Sequence, residues 1–210
     1  MQIAILIFEK VTALDAIGPY EVLSRLPDTE LVFVSTEVGP LRTDTGRLGL
    51  HADATLEDVP EPDVVLVPGG EGNRPLMEDE RVLGWLRHAH EHTTWTTSVC
   101  TGSLVLGAAG ILEGKRATSH WVYRDSLTEY GAEPVAERFV EDGKVMTAAG
   151  VSAGIDMALT LVARLFDENV AKAVQLGIEY DPAPPFDSGS PEKAAPELVE
   201  LIRGLETANT

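Results

Sequence analysis

The 210-residue chain carries 34 acidic against 16 basic residues, a formal net charge of −18, and a single cysteine. That charge repels phosphate backbones and anionic membrane surfaces, which sets nucleic-acid and membrane-surface partners aside, and one thiol excludes an internal disulfide and fits a reducing cytoplasm. The length suits one well-buried core better than two, so a single domain spanning 1–210 is expected.

The opening Met1-Gln-Ile-Ala-Ile-Leu-Ile-Phe8 lacks a basic flank and a small-residue cleavage site, so it reads as a first strand and not as a signal peptide. No apolar run reaches the ~18 residues a membrane helix needs. Ile3 to Phe8, Leu31 to Val38, Val64 to Val67 and Trp95 to Val99 are short, apolar and rich in β-branched residues, as strands buried on both faces are. Helix-period stretches lie between and after them at Tyr20 to Leu26, Pro75 to His90 and Leu104 to Leu112. This alternation predicts an α/β fold, a mostly parallel sheet with helices on both faces. Leu41 to Leu56 and Val135 to Ala149 read as hairpins at a sheet edge. An apolar helix, Ile155 to Phe166, and a second one to about Ile178 follow. The proline-rich Asp181 to Pro191 cannot be regular structure, and a last helix is expected over Glu192 to Glu206.

Cys100 ends the fourth strand, and Thr101-Gly-Ser103 can start a helix, which predicts a sharp strand-to-helix turn of the nucleophile-elbow kind. A thiol there faces the crevice at the carboxyl ends of the strands, and the helix N-terminus is expected to lower its pKa. Free cysteines are also common core fillers, and the local sequence leaves both readings open. Gly150-Val-Ser-Ala-Gly154 offers a rival elbow at Ser152, but an α/β-hydrolase triad needs a later histidine and none follows His120. Ser152 is then a helix N-cap or a pocket-lining hydroxyl.

His120 has two readings, a buried histidine bonded to backbone or a base near the elbow. His88 and His92 share a helix face, but no carboxylate or thiol stands at clear ligand spacing, so no metal and no cofactor is expected. Asp15, in Leu14-Asp-Ala-Ile-Gly-Pro19, either bonds exposed N–H groups at a helix start or serves as an acid kept protonated by desolvation. Gly70, in Val67-Pro-Gly-Gly70, is expected to pair its N–H with that of Thr101 as an oxyanion-type site for substrate.

Together, Leu14-Asp-Ala-Ile-Gly-Pro19, Val67-Pro-Gly-Gly70, Ser98-Val-Cys-Thr-Gly-Ser103 and Ala117-Thr-Ser-His-Trp121 resemble the ThiJ/PfpI superfamily, related to class I glutamine amidotransferases. The likeness covers nearly the whole chain, and with Glu179-Tyr-Asp-Pro-Ala-Pro-Pro-Phe186 it is strongest to members that hydrate isonitriles. The resemblance implies a flavodoxin-like three-layer sandwich, usually a homodimer, with Cys100 as nucleophile, Asp15 as acid and Thr101 in contact with the thiol. It also implies a lyase that converts a small-molecule isonitrile to a formamide. The superfamily's proteases place histidine directly after the cysteine, where this chain has Thr101, and its amidotransferases need a late His-x-Glu. Other expected readings are a glyoxalase or deglycase-like enzyme and a ligand-sensing domain related to AraC-type regulators. Residues 181–210, with six acidic and two basic residues, contain no basic helix-turn-helix.

Overall fold

A computed structural model describes residues 1–208. β1 (Gln2–Leu6) leads into α1 (Ala13–Leu23) and β2 (Glu30–Ser35), followed by β3 (Gly39–Arg42), β4 (Gly49–Ala52) and β5 (Ala54–Thr55). β6 (Val64–Val67), α2 (Asn73–Leu76), α3 (Glu80–His92), β7 (Trp95–Val99) and α4 (Gly102–Ala108) come next. β8 (Arg116–Ala117), a 3-10 segment (Arg124–Tyr130) and β9 (Glu133–Pro134) lead to β10 (Phe139–Asp142) and β11 (Val145–Ala148), then α5 (Ala153–Leu165), α6 (Glu168–Gly177) and α7 (Pro196–Ala208).

Seven strands form one sheet in the order β10-β11-β7-β6-β1-β2-β5, parallel throughout except for the β10–β11 hairpin at one edge. Residues alternate between its faces as the pleat requires. Ala4, Leu6, Val65 and Val67 join α3 and α4 on one side, while Ile3, Ile5, Val64 and Leu66 join α1, α5 and α6 on the other. Both faces are thus covered, which is why the strands read as unbroken apolar runs. From β1 the chain winds outward to β2 and then returns through β6 to β7 on the opposite side. The carboxyl ends of β1, β6 and β7 therefore flank the switch point where open α/β sheets hold ligands.

The flavodoxin-like sandwich is as expected, but several boundaries differ. The first helix begins at Ala13 and carries Pro19 in its interior, because Thr12 N–H donates to Gly69 O at 2.9 Å and turns the chain into the helix directly after β1. The Pro75 to His90 stretch is two helices, broken where Asp79 accepts from Arg81 N–H and caps α3. The Leu41 to Leu56 region is not a sheet-edge hairpin: β3 and β4 pair as a separate two-stranded sheet, and only Ala54–Thr55 adds to the main sheet.

Candidate active site

Cys100 sits at the turn between β7 and α4 with φ of 58°, in the left-handed region that non-glycine residues rarely enter. The turn is held from several sides. Cys100 N–H donates to Ala148 O and Ala149 O, each at 3.0 Å, and its carbonyl accepts from Ser103 Oγ (3.1 Å) and Ser119 Oγ (3.0 Å). Gly102 makes the tight turn possible, since a Cβ there would overlap the Val67 carbonyl oxygen. The thiol reaches a cavity of about 460 Å³ lined by Gly70, Asn73, Thr101, Leu104, His120 and Tyr123 among others.

Asp15 lies in the first turn of α1 but does not cap it. Its Oδ2 instead crosses to the loop after β6 and accepts from Gly69 N–H at 2.9 Å. A Cβ on Gly69 would fall 2.8 Å from that oxygen and 2.7 Å from Thr101 N, so only glycine lets the two segments meet here. Asp15 Oδ1 is buried without a well-formed hydrogen bond, and the carboxyl is close enough to the Cys100 thiol for each to shift the other's pKa. Burial raises the carboxyl from 3.8 to about 7, opposed by the Gly69 N–H and the thiol, with a small upward push from Asp44.

The thiol departs from expectation. Burial first, and then the Asp15 charge, push the Cys100 pKa well above its ordinary value, and the Thr101 N–H and hydroxyl only partly oppose this. The lowering expected at the start of the short helix α4 is opposed by this desolvation. Gly70 also departs from its predicted role: its N–H donates to Thr101 Oγ1 at 3.1 Å and is not left for a substrate oxyanion. Asn73 Nδ2 donates to the same oxygen at 2.7 Å. With both acceptor positions of Thr101 Oγ1 filled, its own hydrogen is directed to the Cys100 sulfur.

Of the two readings of His120, the structure departs from the backbone-bonded one. His120 lines the cavity with Nδ1 buried and unpartnered, so backbone does not satisfy that nitrogen, and burial lowers its pKa. Ser152 stands at the α5 N-cap without a capping hydrogen bond, its hydroxyl accepting from Arg138 Nη2 at 3.3 Å. Sequence reasoning missed Asn73, Ser119 and the Tyr123–Glu206 pair, in which Tyr123 Oη donates to Glu206 Oε2 at 3.2 Å beside the cavity. The Ser103 hydroxyl bond to the Cys100 carbonyl was missed too, although its three-residue spacing is local; the others come from segments with no fixed spacing to the elbow.

The sequence model of the DJ-1/PfpI family matches residues 1–164, which include the elbow, Asp15 and the glycine pair. The chain belongs to the DJ-1/PfpI family. Among its relatives, a Pseudomonas putida protein named isonitrile hydratase is 51% identical over 203 residues, covering 97% of this chain and 89% of the relative. A DJ-1/PfpI member of known structure, described as a ThiJ/PfpI family protein from Pseudomonas syringae, superimposes with a TM-score of 0.95 at 37% identity, over 99% of this chain and 86% of that one. A Pseudomonas aeruginosa transcriptional regulator of the helix-turn-helix type, CdhR, is 33% identical over 144 residues, 67% of this chain but 42% of the regulator. The DJ-1/PfpI fold thus accounts for the sandwich and its elbow, and the site chemistry must decide among the activities such a fold carries.

Proposed function

We propose that this chain is an isonitrile hydratase that converts R–N≡C to the N-substituted formamide, with Cys100 as nucleophile, Asp15 as proton carrier and Thr101 as a donor to the sulfur. The observation that carries the reading is the Asp15 carboxyl beside the Cys100 thiol, a pair in which both pKa values are raised. The 51% identity to a protein of that name supports the substrate class.

The isonitrile carbon has to gain a nucleophile and a proton at one atom. Above about pH 7 the pair holds one proton, on sulfur; Asp15 takes it as the S–C bond forms and passes it to that same carbon. The product is the thioimidate R–N=CH–S–Cys100. Water then adds to its carbon with Asp15 as base, and the C–S bond breaks. One water hydrogen ends on the formamide nitrogen and the other on the thiol, while the water oxygen becomes the carbonyl. No histidine base is needed. Gly70 and Asn73 act in this scheme by orienting Thr101, not by touching substrate.

The same reading treats the 210 residues as one domain and places the enzyme in the cytoplasm, where the thiol stays reduced. None of the described helices is long and apolar enough to cross a membrane. A homodimer is part of the proposal; the exposed Leu198, Leu201 and Leu205 of α7 supply apolar surface that a second copy could bury.

Incubation with an aryl isonitrile, followed by chromatography of the formamide, tests the activity. Wild type is expected to turn over and Cys100→Ala to be inert. Wild type that leaves the isonitrile untouched while consuming methylglyoxal would overturn the assignment.

A further inference from the structure

At the opposite end of the sheet from the thiol, α3 finishes with Arg87-His-Ala-His-Glu-His92, and the loop before β6 carries Glu61. His88 and His92, four apart, turn their rings to the same side with centroids 4.7 Å apart. The intervening His90 faces inward, its Nδ1 2.8 Å from Thr96 Oγ1. Glu61 Oε1 lies 3.3 Å from His88 Nε2 and 3.7 Å from His92 Nε2. One ligand atom from each of the three lies within 4.8 Å of the others. The edge of a zinc tetrahedron with bonds of about 2.0–2.1 Å is about 3.3 Å, so the two Glu61–histidine edges already lie near that length, and exposed side chains can adjust the third.

A second observation orients one of the rings. His92 Nδ1 lies 2.9 Å from the His88 carbonyl oxygen, which can only accept, so Nδ1 carries a hydrogen and Nε2 is the ring nitrogen turned toward Glu61. A backbone carbonyl in this position is the partner that orients metal-ligating histidines.

We propose that Glu61, His88 and His92 form a binding site for a divalent transition ion of the zinc class, with the fourth position open to solvent. All three residues are exposed, so an ion can enter without any rearrangement of the core. The ion clips the loop before β6 to the last turn of α3. The five residues of β7, about 16 Å of strand, separate this end of the sheet from Cys100, and the site takes no part in thiol chemistry.

The test uses full-length protein without a polyhistidine tag, stripped with chelator and dialysed against buffered Zn²⁺. Wild type and Cys100→Ser are both expected to retain one equivalent, with a higher Tm than the stripped protein. His88→Ala, His92→Ala and Glu61→Gln should each weaken zinc binding by roughly 10-fold or more, and His51→Ala should not. With Co²⁺ as probe, wild type should give tetrahedral visible bands without thiolate charge transfer. Absence of a stoichiometric ion, loss of binding in Cys100→Ser, or unchanged affinity in the His88 and His92 variants would each overturn the proposal.

Discussion

Asp15 is fully buried, and in the folded protein its carboxyl titrates at about 7 against 3.8 for an ordinary side chain. Between about pH 4 and pH 7 the native state therefore binds a proton that the unfolded chain has released. Stability contributed at this position falls as pH rises through that window and levels off above it, the reverse of a salt-bridged aspartate. The interval corresponds to about 4 kcal/mol. Asp15→Asn, which keeps the acceptor for Gly69 N–H, should unfold at higher denaturant than wild type at pH 8, and the difference should vanish near pH 4. Denaturant titrations at several pH values measure it; a constant difference would mean that burial of charge is not the cause. The same variant should be inactive, a trade of stability for function. Thr101 makes a second case. Thr101→Val strands the Gly70 N–H and Asn73 amide and removes the hydrogen aimed at the sulfur, so kcat/KM should fall by about 10²-fold, whereas Thr101→Ser should retain most activity. Equal losses in the two variants would point to packing in place of the hydroxyl.

The elements show where glycine matters and where it does not. Gly102 begins α4 against the carbonyl end of β6, and a methyl group there meets the Val67 and Pro68 carbonyl oxygens, backbone atoms that cannot yield. Gly84 lies inside α3 with only Arg87 Nη2 near its open side, at 3.9 Å. Gly102→Ala should cost about 1–3 kcal/mol and displace the elbow, while Gly84→Ala should stabilise by about 1 kcal/mol through helix propensity. Thermal unfolding of the pair tests the contrast, and similar Tm shifts of one sign would refute it. The strands and the elbow were legible because period and β-branched content report burial directly: Val64–Val67 is buried at every position. Asp15 and Cys100 were legible as residues beyond strand ends. What the sequence could not carry was the partner of each polar atom. Gly70 N–H looked like a substrate donor until Thr101 Oγ1 stood in front of it, and Glu61 completes a histidine pair from 27 positions away, where no helical spacing could signal it. The upward push on the thiol's pKa was hidden for a related reason, since a helix start is visible in sequence and burial of the sulfur is not.

At the scale of the whole molecule, the family match ends at residue 164, and α6 and α7 lie beyond it. α7 nevertheless contributes to the cavity wall through Glu206, and it is fastened by Tyr123 Oη to Glu206 and by Arg203 over the Trp121 ring at 5.3 Å. Within one protomer much of its apolar surface faces outward, with Leu201 57% and Leu205 55% exposed, so little buried area inside the chain holds it down. Burial first, and then Glu206, push the Tyr123 hydroxyl up to about 12, so it remains a donor through the neutral range. Tyr123→Phe removes that donor and should loosen the docking of α7 by about 1 kcal/mol, roughly five-fold in its local opening equilibrium, while the sheet keeps its protection. Hydrogen exchange read by mass spectrometry should show faster exchange over 196–206 and no change in β1, β6 or β7. Because Glu206 helps to close the cavity, KM for a bulky isonitrile should rise with little change in kcat. Unaltered exchange in α7 would mean that its seat depends on the Trp121–Arg203 contact, and that the site is closed by stacking and not by the tyrosine.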